Sequence, residues 1–315
     1  MSITFSIFLP SGFGQEFAHI PDPVEAYETV TRIAQAADGL GYESLWVPDH
    51  LHTIPPSQEF LFEAWSVITA LARDTSRIRL GQLVTGNSYR SPALQAKMAS
   101  TVDVISHGRL TFGIGSGWYE PDYAAYGYDF GSAGGRLRRL GEAVQVILSL
   151  WTAEESTFEG EHYRLNGAIN QPKGVQTPHV PLMIAGGGEK VTLRLVAQYA
   201  DACNMLESPA RLEHKYAVLA KHCAEIGRDH DDIHRTATTV CVIRETDEEA
   251  RAAVRPGSEF AYPGDLGSYG LIGTIGTVRD RIAAYEAAGV QELIIGFEDP
   301  TEVELIRRFA AEFMP

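Results

Sequence analysis

Residues 22–48 read DPVEAYETVTRIAQAADGLGYESLWVP, and this stretch decides the fold. Asp22 is an N-cap residue, Pro23 suits the first helical position, and Glu25 follows three residues after the cap. Val24, Tyr27, Val30, Ile33, Ala37 and Leu40 recur at helical spacing, Gly41 stops the helix, and Ser44–Pro48 reads as a buried strand. The same order of helix, glycine and short apolar strand returns twice. One copy runs from Leu94–Ile105 through Gly108 to Leu110–Gly115 (LTFGIG). The other runs from Val278, Ile282 and Tyr285 through Gly289 to Glu292–Phe297 (ELIIGF). Glycine C-caps that feed a strand belong to α/β proteins with parallel sheets.

Working outward, apolar runs place strands near residues 3–9, 44–48, 78–84, 110–116, 181–185, 201–205, 236–243 and 292–297. Helical patterns separate most of them, at 60–73, 135–151, 189–199, 209–226 and 246–254. Strands and helices in this number predict a TIM (β/α)8 barrel; an open doubly wound sheet is the alternative. An insertion falls around 152–180, where Thr157–Leu165 (TFEGEHYRL) alternates like a hairpin. A lid-like loop rich in Gly, Pro, Ser and Tyr falls around 255–276. No polar or Pro-rich linker interrupts residues 1–315, so a single domain is expected.

The chain has 315 residues, 44% of them hydrophobic and 21% charged, which suits a globular protein with a large core. A net charge of −15 argues against nucleic acid and against an anionic membrane as partners, leaving small molecules. Met1–Pro10 carries no Lys or Arg and is too short for a signal peptide, and no run spans a bilayer. Cys203, Cys223 and Cys241 are widely spaced and form no metal or redox motif, so a cytoplasmic location is expected.

In a barrel, chemistry sits just beyond the carboxyl ends of the strands. The second strand ends in Pro48-Asp49-His50-Leu51-His52, which places imidazoles fit for acid–base work, with a carboxylate beside them, over the mouth. His50 and His52 also have the spacing of a metal pair, but later strand ends supply no further ligands, and no metal is expected. The third strand ends in Leu83-Val84-Thr85-Gly86-Asn87. The fourth ends in Gly113-Ile114-Gly115-Ser116-Gly117-Trp118-Tyr119, whose glycines either admit something flat or relieve tight barrel packing. The fifth ends in Ala185-Gly186-Gly187-Gly188-Glu189, and a helix is expected to begin directly with Lys190 and Val191. Glycine amides at a helix N-terminus, with Lys190 and Arg194 near, form an anion site; a plain strand-to-helix turn is the other reading.

Taken together, LGYESLWVPDH (40–50), RIRLGQLVTGN (77–87), SHGRLTFGIGSGWYEPDYAAYG (106–127), PLMIAGGGEKVTLRLVAQYADACN (181–204) and RIAAYEAAGVQELIIGF (281–297) resemble the luciferase-like monooxygenase superfamily. Within it the chain most resembles actinobacterial oxidoreductases dependent on coenzyme F420, a deazaflavin. The resemblance implies a flavin-type ring in the barrel mouth, backed by a strand-three bulge at Leu83–Val84 that commonly holds a non-prolyl cis peptide. It implies Asp49 near the ring and His50 as proton donor or acceptor. Thr85, Asn87, Gly115, Ser116, Gly117 and Tyr119 would line the cofactor, and Ala185 to Glu189 would hold its phosphate side. His52 and Trp118 would line the substrate pocket. Sugar-phosphate dehydrogenases of the superfamily carry Glu where this chain has Trp118, which turns the expectation toward an apolar or planar substrate. The expected reaction is hydride transfer between the deazaflavin and a small organic molecule. The alternatives are an FMN-dependent two-component monooxygenase using O2 and a flavin-binding protein without turnover. A separate cofactor reductase and a homodimer are family-level expectations. Arg90, Lys173, Lys190 and Arg194 are the candidates for holding the cofactor's anionic tail.

Overall fold

The helix that opens the argument forms as its sequence dictates. The Asp22 side chain accepts from Val24 N at 2.8 Å, and Gly41 ends the helix at φ 93°, a conformation costly for a residue with a Cβ. A computed structural model describes residues 3–255, 258 and 262–314. Eight strands form the barrel: β1 (Thr4–Phe8), β2 (Ser44–Val47), β3 (Arg79–Gln82), β4 (Leu110–Gly115), β5 (Leu182–Ala185), β6 (Ala202–Met205), β7 (His234–Ile243) and β8 (Glu292–Phe297). Each is parallel to the next, and β8 returns to β1 with Glu292 opposite Thr4, which closes the ring. The fold is a TIM barrel, with every barrel strand where the apolar runs put it.

A helix follows each strand: α1 (Pro23–Leu40), α2 (Ala64–Asp74), α3 (Pro92–Ile105), α4 (Ala133–Thr152), α5 (Thr192–Tyr199), α6 (Pro209–Ile226), α7 (Ile275–Ala287) and α8 (Val303–Phe313). One start differs from expectation. α5 begins at Thr192, not at Lys190, because Val191 adopts φ −122° and ψ −57°. Leu193 N closes the intervening turn onto Gly188 O at 3.0 Å. The 152–180 insertion holds the expected hairpin, with Ser156–Glu159 antiparallel to Arg164–Ala168. Part of the 255–276 segment is not a lid, since Leu271–Gly273 adds a parallel strand beside the end of β7. Residues 256, 257 and 259–261 of that segment lie outside the described residues. Among the described residues no helix is long and apolar enough to cross a membrane.

Inside the ring, Trp46, Met183, Ala202 and Ile294 pack together, with Phe8 and Leu83 above them. Gly81 makes room for the indole: a Cβ there would lie 2.3 Å from Trp46 Cζ3. The amino ends of the strands are tied by one buried carboxylate. Glu292 accepts from Ser6 Oγ at 2.5 Å and Ser44 Oγ at 2.7 Å, and its other oxygen meets His234 Nε2 at 2.9 Å. Burial alone would raise this carboxyl, but the bonds from His234, Ser6 and Ser44 hold it below its ordinary value. The indole N–H of Trp46 donates to Ser44 Oγ at 2.6 Å and joins the same network.

Gly81→Ala is expected to lower stability by roughly 1–3 kcal/mol, because the methyl must displace a packed indole. Urea unfolding followed by tryptophan fluorescence measures this; an unchanged midpoint would refute the packing argument.

Candidate active site

At the carboxyl end of β3 the Leu83–Val84 peptide bond is cis, at the position the resemblance pointed to. The bulge fits because β4 lacks side chains beside it. A Cβ on Gly113 would lie 2.1 Å from Gln82 O, and one on Gly115 would lie 2.7 Å from Val84 Cγ2. Close packing between strands therefore accounts for these two glycines. Gly117, at φ 80°, has the Tyr123 hydroxyl where its Cβ would be.

Asp49, 4% exposed, holds the bulge in place. Its carboxylate accepts from Thr85 Oγ1 at 2.8 Å and Gly86 N at 3.0 Å, and Arg90 binds both oxygens at 2.7 and 3.1 Å. Arg90 also reaches Glu63 at 2.8 Å, so its charge is spent here and not on a cofactor tail. Asn87 is buried and donates to the Tyr163 hydroxyl of the hairpin at 3.2 Å, while its Oδ1 has no partner among the described residues. Lys173 is likewise engaged, by the carbonyls of Leu150 and Ala153.

His50 and His52 converge on a residue the sequence reading did not single out. Asp122, fully buried in the short helix Glu120–Tyr126, lies 2.8 Å from His50 Nδ1 through Oδ2 and 3.1 Å from His52 Nδ1 through Oδ1. It also accepts from His52 N at 2.9 Å and from the Tyr89 hydroxyl at 3.0 Å. Burial alone would raise the Asp122 carboxyl, but the hydrogen bond and charge of His50, an amide and Tyr89 together hold it low. An ionised carboxylate only accepts, so the Nδ1–H of His50 points at Asp122 and Nε2 is left for another partner. The imidazole stacks on Phe13 at 4.3 Å and meets the edges of Trp118 and Tyr119 at 5.7 and 5.6 Å. Trp118 is 48% exposed, at the rim, with Ser116 half-buried before it. His52 packs instead against Tyr126 at 5.3 Å.

At the end of β5, Gly186 takes φ 123° and donates its N–H to Asn204 O at 3.0 Å. The amides of Gly187, Gly188, Glu189 and Lys190 donate to no acceptor among the described residues. Lys190 and Arg194 are exposed and take part in no ion pair among the described residues. Free amides, the N-terminus of α5 and two free cations fit a phosphate group. Glu189 itself turns to α6, where Lys215 Nζ lies 2.8 Å away and His214 Nε2 3.2 Å away; the bond from Lys215 depresses its carboxyl. A cavity of about 110 Å³ opens at the ends of β1, β7 and β8, lined by Phe8, Val240, Phe297 and two charged residues that sequence reasoning missed, Glu16 and Arg255.

Residues 3–269 match the family described as luciferase-like monooxygenase. A pyrimidine monooxygenase, RutA, of Stutzerimonas stutzeri is 30% identical over 244 residues, 74% of this chain and 65% of the relative. An F420-dependent glucose-6-phosphate dehydrogenase of Amycolatopsis mediterranei is 32% identical over 170 residues, 53% of this chain and 48% of the relative. Among solved structures, an F420-dependent secondary alcohol dehydrogenase in complex with an F420-acetone adduct superposes with a TM-score of 0.84. It covers 99% of this chain and 98% of its own at 20% identity, a likeness of fold.

Because Asp122 has a depressed carboxyl, its stabilisation is present above the unfolded carboxyl value and is lost as pH falls through the folded one. Asp122→Asn is expected to cost roughly 1.5–3 kcal/mol at pH ~7. The gap from wild type should close in acid, below about pH 4. Chemical denaturation across pH tests both halves, and a gap constant with pH would contradict the ionised Asp122.

Proposed function

Since the chain belongs to the luciferase-like monooxygenase family, we propose that it is a coenzyme F420-dependent oxidoreductase that moves a hydride between the deazaflavin and a small organic substrate. The observation that carries this reading is the His50–Asp122 pair, an imidazole held by a buried carboxylate at the same barrel mouth as a phosphate-fitting turn. Bound coenzyme would supply hydride transfer with little reactivity toward oxygen.

The chain's own residues supply position and proton handling. The Gly187–Lys190 amides, with Lys190 and Arg194, hold the phosphate. The Leu83–Val84 bulge, locked by Asp49, backs the ring. His50 Nε2 takes the proton released when a substrate hydroxyl is oxidised, or returns it in the reverse direction. Asp122 stabilises the imidazolium formed in between, the task the carboxylate has in other Asp–His pairs. Phe13, Trp118 and Tyr119 exclude water around the imidazole. A second reading, an FMN-dependent monooxygenase fed by a separate reductase, draws on the likeness to the pyrimidine monooxygenase. It uses the same turn and the same imidazole.

Titrating the protein with F420 and with FMN, followed by fluorescence, is expected to show F420 bound at least about tenfold more tightly, each tenfold being ~1.4 kcal/mol. FMN binding without F420 binding would replace the first reading with the second. His50→Gln is expected to leave cofactor affinity unchanged and to lower turnover by roughly 10²–10⁴, the span of general acid–base catalysis. Unchanged turnover, measured as F420 absorbance with a panel of alcohols and carbonyl compounds, would remove His50 from the mechanism.

A further inference from the structure

The turn after β5 carries an anion of its own. Glu189 follows the glycines and precedes α5, so its carboxylate belongs to the turn whose amides are assigned to a phosphate. A carboxylate is itself favoured by amides at a helix N-terminus, and it repels a second anion. Left loose, Glu189 would compete with a phosphate for the turn.

It is not loose. α6 presents Lys215 and His222 seven residues apart, on one face and two turns from each other. Lys215 Nζ donates to Glu189 Oε1 at 2.8 Å, and His222 Nε2 meets the Glu189 carbonyl at 2.8 Å. Glu189 is thus gripped by both its side chain and its backbone. His214 Nε2 reaches the same carboxylate oxygen at 3.2 Å. Lys215 is 9% exposed, a depth at which lysine is found only when paired. Glu189 is its one acceptor among the described residues. The other carboxylate nearby, Glu207, is bound by Arg211 at 2.5 and 3.1 Å. The Lys215 stem runs beside the turn, with Cε 3.7 Å from where a Gly187 Cβ would be. The bond from Lys215 holds the Glu189 carboxyl below its ordinary value, so the group is ionised. The amides of Gly187 to Lys190 meanwhile donate to no acceptor among the described residues.

We propose that Lys215 is a positioning residue for the cofactor's phosphate: it holds the Glu189 carboxylate away from the turn amides and cancels its charge. Lys215 does not touch the phosphate; it acts through Glu189. His222 fixes the backbone of the same residue, so the amides on either side keep their direction. An acidic residue inside an anion site is thereby made harmless. The assignment rests on the reading that this turn holds the phosphate of a flavin-type cofactor.

The test compares each cofactor with its phosphate-free form by fluorescence titration: FMN with riboflavin, and F420 with its phosphate-free deazariboflavin. The affinity ratio within a pair isolates the phosphate, and the phosphate-free member controls for the fold. Lys215→Met leaves the carboxylate uncompensated and is expected to lower the ratio about fivefold or more, with phosphate-free affinity unchanged. Lys215→Arg and Glu189→Gln are each expected to keep the ratio. The double variant Lys215→Met/Glu189→Gln, which has neither charge, is expected to return it to the wild-type value. An unchanged ratio in Lys215→Met overturns the proposal. So does a loss that Glu189→Gln does not repair, because Lys215 would then contact the phosphate itself. Equal losses for both members of a pair also overturn it, by reducing Lys215 to a support of the fold. Lys215→Gln takes the place of Lys215→Met should that variant not fold. A wild type that favours neither phosphate-bearing form removes the phosphate from the turn, and the proposal with it. A wild type that binds no member of either pair counts against the proposed function instead. The amide NMR shifts of Gly187 to Lys190 with inorganic phosphate then test Lys215 alone, through the same variants and with the same expected order.

Discussion

The mouth of this barrel depends on the carboxylate of Asp49. It stands at the end of β2 and grips the chain emerging from β3 through Thr85, Gly86 and Arg90. The grip places the Val84 side chain in the notch left by Gly113 and Gly115 of β4. It also sets Tyr89, whose ring lies where a Gly86 side chain would be, so that its hydroxyl reaches Asp122. Asp122 in turn orients His50 and His52. Asp49 and His50 are sequence neighbours with separate surroundings: one is locked into the scaffold by Thr85, Gly86 and Arg90, the other is held against Asp122 at the mouth. A buried ion pair such as Asp49–Arg90 is weak as a source of net stability, because desolvation offsets its attraction. What it supplies here is register, holding the chain after the bulge where Thr85 and Gly86 pair with Ile114 and Gly115.

Charge is arranged by the same economy. The chain carries 26 Lys and Arg against 41 Asp and Glu, yet the turn after β5 presents amides without acceptors among the described residues beside two exposed cations. Most of the cations near the mouth are consumed internally: Arg90 by Asp49 and Glu63, Lys215 by Glu189, Arg244 by Glu298. Lys190 and Arg194 are exceptions, beside four free amides. Since exposed charges are screened beyond roughly 8 Å at physiological salt, these near groups outweigh a distant negative surplus. Net charge therefore argues about nucleic acid and membranes, and says little about one phosphate.

The barrel was legible in the sequence because its signals are local. Asp22, Pro23 and Gly41 mark the ends of α1 within a few residues of each other, and the eight buried strands are short apolar runs bounded by turns. The site was legible only in part. Strand-end segments could be chosen from topology, and the resemblance supplied the cis bond. What joins the segments was hidden, because loop pairings carry no periodicity. Asp122 and His50 are 72 residues apart, and Gly14 and Arg255 are 241 apart. Glu189 shows the converse: adjacent to the glycine run in sequence, it faces a lysine on the neighbouring helix. The only sequence hint of Asp122 was its place soon after the fourth strand, among aromatics.

One loop joins the two halves of the mouth. Phe13, which stacks on His50, is the residue before Gly14, on which Glu16 and Arg255 are anchored. The loop is tied to its neighbour after β2 by Ile54 N on Phe13 O at 2.7 Å, Phe62 N on Ser11 O at 2.9 Å and the Gln15 amide on Pro55 O at 3.0 Å. The support of the imidazole and the anchors of Glu16 and Arg255 are thus parts of one segment. Much of the catalytic advantage of an enzyme lies in fixing such distances in advance of reaction. A shift of this loop would therefore move the His50 imidazole with it, even though the loop lies outside the His50–Asp122 pair.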